Sequence, residues 1–397
     1  MKTVVPAQRT LNVRHANRDL VPVAQGVEKG GKKVLYLNTG DPIPFDFRAP
    51  FHLWELINER KREAESYTNA LGSDNARAAV ASYAKKVGAK NVSKEDVVNF
   101  VGGGEAIKIL LDSLLDRGEN ILLPKPGYSV YNGELVFLEA IANEYELDEE
   151  NDWQVNVPDL EKKINSKSKA IVLINPGNPT GGLLSKSNLK DVVQVAAENN
   201  LPIICDETYD QIIYEGSFSS IASVAKEVPV ISLGCISKNY MAPGFRGGWI
   251  YKQDSDGKLD EYFEAIKRLC RLRLTNSGMA QIAIEAALNG PQDHIPKMIS
   301  KLKKRRDFAY KRISEIRGLS TVNAKGSFYL FPKISLKIKS DKEFVLKLLR
   351  ETGVLVTHGE GFGQKEGTHH FRMVFLPPEK TLDEAFNLIE GFIKKNY

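Results

Sequence analysis

The chain has 397 residues, 42% of them hydrophobic, and its 55 basic residues exceed its 50 acidic ones by five. That length suggests two domains with a cleft between them and enough apolar side chains for a large core. Near balance of charge with no long block of one sign argues against a nucleic-acid surface, and the mild basic excess suits a small anionic substrate.

The N-terminal MKTVVPAQRTLNVRHANR lacks the apolar run of a signal peptide. No window approaches about 18 uninterrupted apolar residues, so no membrane partner and a cytoplasmic location are expected. Cys205, Cys235 and Cys270 are odd in number and far apart, and the six histidines show no HExxH spacing, so neither a disulfide framework nor a metal site is expected. The basic run Lys301 to Arg306, KLKKRR, reads as the solvated face of a helix.

In chain order, a helical stretch from Leu20 to Lys29 precedes a short strand, Val34 to Leu37, which ends in a Gly-Asp-Pro turn at Gly40. Residues 51–65 are helical by pattern, and Ser73 to Ala76 opens another helix. From Val97 onward, short apolar runs alternate with helical periodicity. The runs are VVNFV, ILLP, AIVLINP, PIICDE, VISLGCI and GWIYK. Strands apolar on both faces and separated by amphipathic helices imply a mainly parallel sheet covered on both sides. Residues 258–318 read as long charged helices. SFYLFPKI, GVLVTHG and FRMVFL follow as strands, and Leu382 to Lys395 as a last helix. This final α+β unit is expected to combine with the N-terminal segment.

An open α/β sheet builds its ligand site at the carboxyl ends of its strands, so the strand exits carry the functional signal. VGGGEAIK, Val101 to Lys108, puts bare backbone amides of Gly103 and Gly104 at a helix N-terminus, a phosphate-binding arrangement. A dinucleotide fingerprint fails there, because the position of the last small residue is Ile107 and no acidic residue follows at the required distance. PGYSVY offers Tyr128 as a ring that can stack on a flat heterocycle. INPGNPTGG, with two Asn-Pro pairs, permits a cis peptide at Pro179 and presents the Asn178 amide. In IICDETYD, Asp206 ends a buried strand and needs a cationic partner, which a pyridinium nitrogen would supply; Tyr209 lies three residues on. Last comes SKNYMAPGFRGGW, Ser237 to Trp249, where Lys238 follows an apolar strand and stands eight residues before Arg246 among Gly244, Gly247 and Gly248.

With these motifs in this order, the chain resembles the class I aminotransferases of the pyridoxal-phosphate fold type I superfamily, over about Asn38 to Arg372. The nearest subgroup is the bacterial-type alanine aminotransferases, on NTGDPIPF, PKPGYSVY and SKNYMAPGFRGGW. The resemblance implies a mainly parallel, seven-stranded-type large domain at 46–289, with residues 1–45 and 290–397 forming the small domain. It implies that Lys238 carries pyridoxal 5'-phosphate as a Schiff base and shuttles the proton at the substrate Cα. Asp206 would hold the ring nitrogen protonated, Tyr209 and Asn178 would bond the phenolate oxygen, and Tyr128 would stack on the ring. Gly103, Gly104, Ser237 and Arg246 would bind the phosphate. Tyr67 would reach the phosphate of a neighbouring subunit, which implies a homodimer with shared active sites. Gly40 and Asn178 would lie beside the substrate, Arg372 would clamp its α-carboxylate, and Arg18 is the candidate for a distal carboxylate. Arg271 and Arg273 in CRLRLTN are the other arginines considered for that end.

The implied reaction is ping-pong amino transfer, most simply between L-alanine and 2-oxoglutarate. Aspartate or broad-range aminotransferases and a carbon–sulfur lyase share the lysine and phosphate clamp. A ligand-sensing regulator with an aminotransferase-like body is the reading from another class, and the roughly 35 residues before the first strand are too few for a DNA-binding domain.

Overall fold

The computed structural model describes residues 2–397. Among the described residues there are fifteen strands: β1 Leu35–Tyr36, β2 Val97–Val101, β3 Asn120–Lys125, β4 Ile141–Asp148, β5 Gln154–Val155, β6 Ser168–Ile174, β7 Ile203–Asp206, β8 Val230–Cys235, β9 Gly247–Gln253, β10 Leu319–Ser320, β11 Tyr329–Leu330, β12 Lys333–Ile334, β13 Val354–Leu355, β14 Thr357–His358 and β15 Phe371–Val374. Eight of them form the central sheet in the order β2-β9-β8-β7-β6-β3-β4-β5. Neighbours are parallel except where β9 joins β2 and β8 and where β5 joins β4. The two-residue β5 extends the expected seven strands to eight.

Each predicted apolar run is a central strand because both of its faces are covered. Ile203 and Cys205 of β7 enter one core with the helices Asp74–Lys86, Lys186–Glu198 and Gly278–Asn289, while Ile204 enters the other with Gly102–Asp112 and Asp260–Leu272. Each such side chain, fully buried, contributes about 1.5–3 kcal/mol. The helix expected from Ser73 begins there, with the Ser73 hydroxyl accepting the Ala76 N–H at 3.4 Å. The pattern missed β4, whose sequence IANEYELD buries only Tyr145 completely. Two of its carboxylates, Glu144 and Glu146, pair with Lys125 and Lys365, so charge replaces apolar burial along this strand near the sheet's edge.

A third core gathers both ends of the chain. Leu20, Leu35 and Leu37 pack with Met298, Leu302, Phe344, Leu348, Phe371, Met373, Leu382 and Phe386. Pairing of β1 with β13, and of β15 with β11 and β14, holds the N-terminal segment against the C-terminal strands. The basic run at 301–306 departs from its expected solvated role. Arg305 and Arg306 are 3% and 1% exposed. Arg305 bonds both Asp46 oxygens at 2.8 and 3.0 Å, and Arg306 donates to the Ala324 carbonyl at 2.8 Å and pairs with Glu215 at 2.9 Å. A buried guanidinium is tolerable only when it is paired, and here the adjacent Asp307 accepts from Arg306 Nε at 2.8 Å while the other partners come from segments distant in sequence. Among the described residues, no helix is long and apolar enough to cross a membrane.

Candidate active site

The carboxyl ends of β2, β3, β6, β7 and β8 open on a cavity of about 550 Å³, closed from the opposite side by the N-terminal segment and by β11 and β15. Every residue expected at the site lines it or adjoins it, with one exception. Gly40, Gly103, Gly104, Tyr128, Asn178, Asp206, Tyr209, Ser237, Lys238, Arg246, Arg372 and Arg18 all line the cavity. Tyr67 does not; it is 81% exposed.

Lys238 lies in the single helical turn Ile236–Asn239 that follows β8, and its Nζ donates to the Gly40 carbonyl at 2.7 Å. Asp206, at the end of β7, is 6% exposed and accepts the Thr208 N–H at 3.1 Å. Burial pushes its carboxyl up, against the Thr208 hydrogen bonds and the charge of Lys238. A buried carboxylate in this state would be stabilised by a cationic N–H placed in the cavity. Burial also raises the Tyr209 phenol well above its ordinary value, reinforced by Tyr329 beside it, and pushes Tyr128 up to about 12. Both hydroxyls therefore stay protonated as donors.

The phosphate-type end is built from a close approach of two backbones. Gly102 has φ +73°, and a side chain there would strike the Arg246 guanidinium; one at Gly248 would come within 2.6 Å of the Gly102 carbonyl carbon. These two positions let Arg246 lie across the N-terminus of Gly102–Asp112, where the first-turn amides of Gly103 and Gly104 have no acceptor within the helix. Arg246 donates to the carbonyls of Pro243 at 2.8 Å and Val101 at 3.3 Å. Gly244 has open space around it, and Gly247 packs on Ile236 and Ile284, so Gly248 is the one glycine of the three that this approach requires.

At the other end, Arg372 of β15 is 3% exposed. It donates to Asn178 Oδ1 at 2.9 Å and to the Asn38 carbonyl at 2.6 Å. Its guanidinium carbon lies 4.6 Å from the Tyr329 ring centre and 4.5 Å from that of Phe362. Its Nε is buried without a partner. Because Asn178 Oδ1 is occupied by Arg372, its amide nitrogen is left to donate elsewhere. The segment bearing Arg18 is tied down through Asn17 Oδ1, which accepts from Asn38 Nδ2 at 2.6 Å and Thr357 Oγ1 at 3.2 Å. Arg273 is not available in the way considered from sequence. It pairs with Glu105 and donates to the carbonyls of Ala70 at 3.0 Å and Asn99 at 2.7 Å, while Arg271 is exposed.

Three site residues escaped the sequence reading. Tyr329 lines the cavity and meets the Tyr209 hydroxyl at 3.0 Å. His15 lines it beside Arg18, with Nδ1 accepting the Arg18 N–H at 3.3 Å; burial, together with the charges of Arg18 and Arg372, holds its pKa down. Asn17 anchors that segment. The signal for Tyr329 was its place in SFYLFPKI, one residue from Phe328, but aromatic residues in a strand read first as core. Among the described residues no group of three or more His, Cys, Asp and Glu side chains is placed to hold a metal ion.

The donor set fits pyridoxal phosphate: a lone buried carboxylate for a ring N–H, neutral phenol and amide donors for a phenolate, bare amides with an arginine for a phosphate, and a primary amine between them. The pattern described as aminotransferase class I and II matches residues 32–389. The glutamate–pyruvate aminotransferase AlaA of Haemophilus influenzae is 36% identical over 374 residues, covering 92% of each chain. The alanine aminotransferase of Mycobacterium tuberculosis is 33% identical over 377 residues, covering 93% of this chain and 88% of its own. The solved structure of an alanine aminotransferase from Pyrococcus furiosus superposes with a TM-score of 0.96 at 42% identity, over 99% of this chain and 100% of its own. With the motif order, the sheet and the cavity in agreement, the chain belongs to the class I and II aminotransferase family and is a pyridoxal-phosphate-dependent transaminase.

Proposed function

We propose that this transaminase moves the amino group between L-alanine and 2-oxoglutarate by a ping-pong mechanism. The observation that carries the choice of substrates is that one cavity is lined by both Arg372 and Arg18, which suits a dicarboxylate held at its two ends. The name of the Haemophilus relative, a glutamate–pyruvate aminotransferase, favours the same pair, and that of the Pyrococcus structure favours alanine.

In this reading the cofactor, when bound, supplies an electron sink for the bonds at the substrate Cα. Asp206 holds the proton on the ring nitrogen, and Tyr209 and the Asn178 amide donate to the ring oxygen. Tyr128 covers the ring face. Gly103, Gly104, Ser237 and Arg246 hold the phosphate, and Lys238 Nζ binds the cofactor and moves the proton at Cα. Arg372 takes the α-carboxylate, with Gly40 alongside, and Arg18 takes the distal one.

A homodimer with shared sites belongs to the same proposal. Tyr67 is 81% exposed, and Leu272 at 82%, Leu274 at 57% and Met279 at 58% are large apolar side chains left uncovered. We assign residues 46–289 to the large domain, and 1–45 with 290–397 to the small one, on the support of the third core, which joins both termini. A cytoplasmic location is supported by three cysteines that are free and buried. The test is a panel of amino acids assayed with 2-oxoglutarate and with pyruvate as acceptors. Alanine with 2-oxoglutarate should give the highest kcat/KM, and a clear preference for aspartate or an aromatic donor would refute the assignment.

A further inference from the structure

Tyr329 stands where the two ends of the cavity meet. It is 2% exposed, lies on β11, and pairs in register with Val374 of β15, the strand that carries Arg372. Its hydroxyl lies 3.0 Å from that of Tyr209, with the two rings edge to face at 83° and 5.8 Å between centres. The opposite use of the same side chain is its ring face: the Arg372 guanidinium is sandwiched between Tyr329 and Phe362 at 4.6 and 4.5 Å. The hydroxyl also fills the space in front of Gly40, where an added side chain would collide with it, and the Gly40 carbonyl in turn accepts from Lys238 Nζ at 2.7 Å. One side chain therefore borders three groups with separate tasks.

From this geometry we infer that Tyr329 is a positioning residue that joins the substrate-carboxylate clamp to the cofactor's electronic control, its hydroxyl acting through Tyr209 and its ring through Arg372. The inference rests on the roles proposed above for Tyr209 and Arg372. A Tyr209 that donates its proton to a ring oxygen can only accept from its second neighbour, so Tyr329 is the donor in the pair. Hydrogen bonds in such a chain polarise one another, and Tyr329 thereby strengthens what Tyr209 gives. The other charged and titratable groups facing the pair are Tyr128, Asp206, Lys238 and Arg372. Of these, Arg372 is held by the Tyr329 ring itself. The ring and the hydroxyl have separable consequences, because phenylalanine keeps the first and removes the second.

The experiment uses the holoenzyme and two readouts: the pH midpoint of the visible band of the lysine-bound cofactor, and KM for alanine. Y209F should raise the midpoint, since it removes a donor to the deprotonating centre's ring oxygen. Y329F should raise it by a smaller amount, about 0.3–1 pH unit, the effect of one neutral hydrogen bond. In the Y209F background, adding Y329F should change nothing more. KM for alanine should stay within about twofold in Y329F and rise about fivefold or more in Y329L, which removes the stacked face. An unshifted midpoint in Y329F, an equal shift with and without Tyr209, or an unchanged KM in Y329L would overturn the inference while leaving the roles of Tyr209 and Arg372 intact. An unshifted midpoint in Y209F itself would overturn both.

Discussion

Replacing Arg372 with alanine probes the site where the fold commits most. The guanidinium is almost wholly buried, is sandwiched between two rings and holds Asn178 and the Asn38 carbonyl, leaving a buried Nε with no partner. A carboxylate entering here meets a donor that is already desolvated and oriented, so little ordering cost remains. Truncating one member of such a buried charge pair costs roughly 2–5 kcal/mol, a factor of about 30 to several thousand. The assay is steady-state KM for alanine and for the 2-oxo acid, with the visible band of the bound cofactor recorded in parallel. KM should rise for both substrates by at least about 30-fold, while the band persists, because Arg372 lies at the opposite end of the cavity from the residues proposed to hold the phosphate. Lysine at the same position should recover only part of the loss, since a point charge cannot reproduce a bidentate fork. An unchanged KM in R372A would refute the assignment.

Lys238→Ala should abolish both turnover and the lysine-bound visible band; retained full activity would remove Lys238 from its role. Mixing inactive Tyr67 and Lys238 variants under subunit exchange should restore activity if sites are shared, and no recovery would count against the shared-site dimer. Stability should depend on pH through Glu207, whose buried carboxyl is pushed up to about 8 by desolvation, despite accepting from Ile221 N–H at 2.8 Å and Ser220 at 3.0 Å. A carboxyl raised in the folded state favours folding fully below its unfolded value near 4.5, and that contribution is lost as pH rises through about 8. Wild-type Tm should therefore fall between pH 5 and 8 more steeply than that of Glu207→Gln. Parallel Tm profiles would exclude this residue as the cause.

The site's cofactor half was legible because each element of it is local. An apolar run followed by a glycine turn, Pro-Gly-Tyr, Asn-Pro, Asp or Ser-Lys is a strand whose exit lines the cavity, and these five exits converge once the strands lie parallel. The substrate half was not legible in the same way. Arg372 entered by resemblance alone, since on its own it reads as one residue of a strand face. His15 and Asn17 gave no local sign, and Tyr329, within SFYLFPKI, read as one more aromatic of a strand core. Their roles arise when residues more than 300 positions apart pair, as Thr357 does with Asn17 and Arg372 with the Asn38 carbonyl.

Arg305 and Arg306 carry the same lesson from the opposite side. A basic run is normally solvated, and here Asp46, Glu215 and the carbonyls of Ala324 and Leu376, brought in by tertiary contacts, join the neighbouring Asp307 to offset the burial. β4 escaped for a related reason, because its stability rests on neighbouring strands and charge pairs and not on its own hydrophobic pattern. By itself the sequence determined the parallel sheet, the strand exits and the groups that would meet a cofactor, all properties of short segments. The tertiary structure alone decided how the two termini close over that sheet, and with it which side chains hold Arg372 in the cavity, because those contacts depend on segments that share no local pattern.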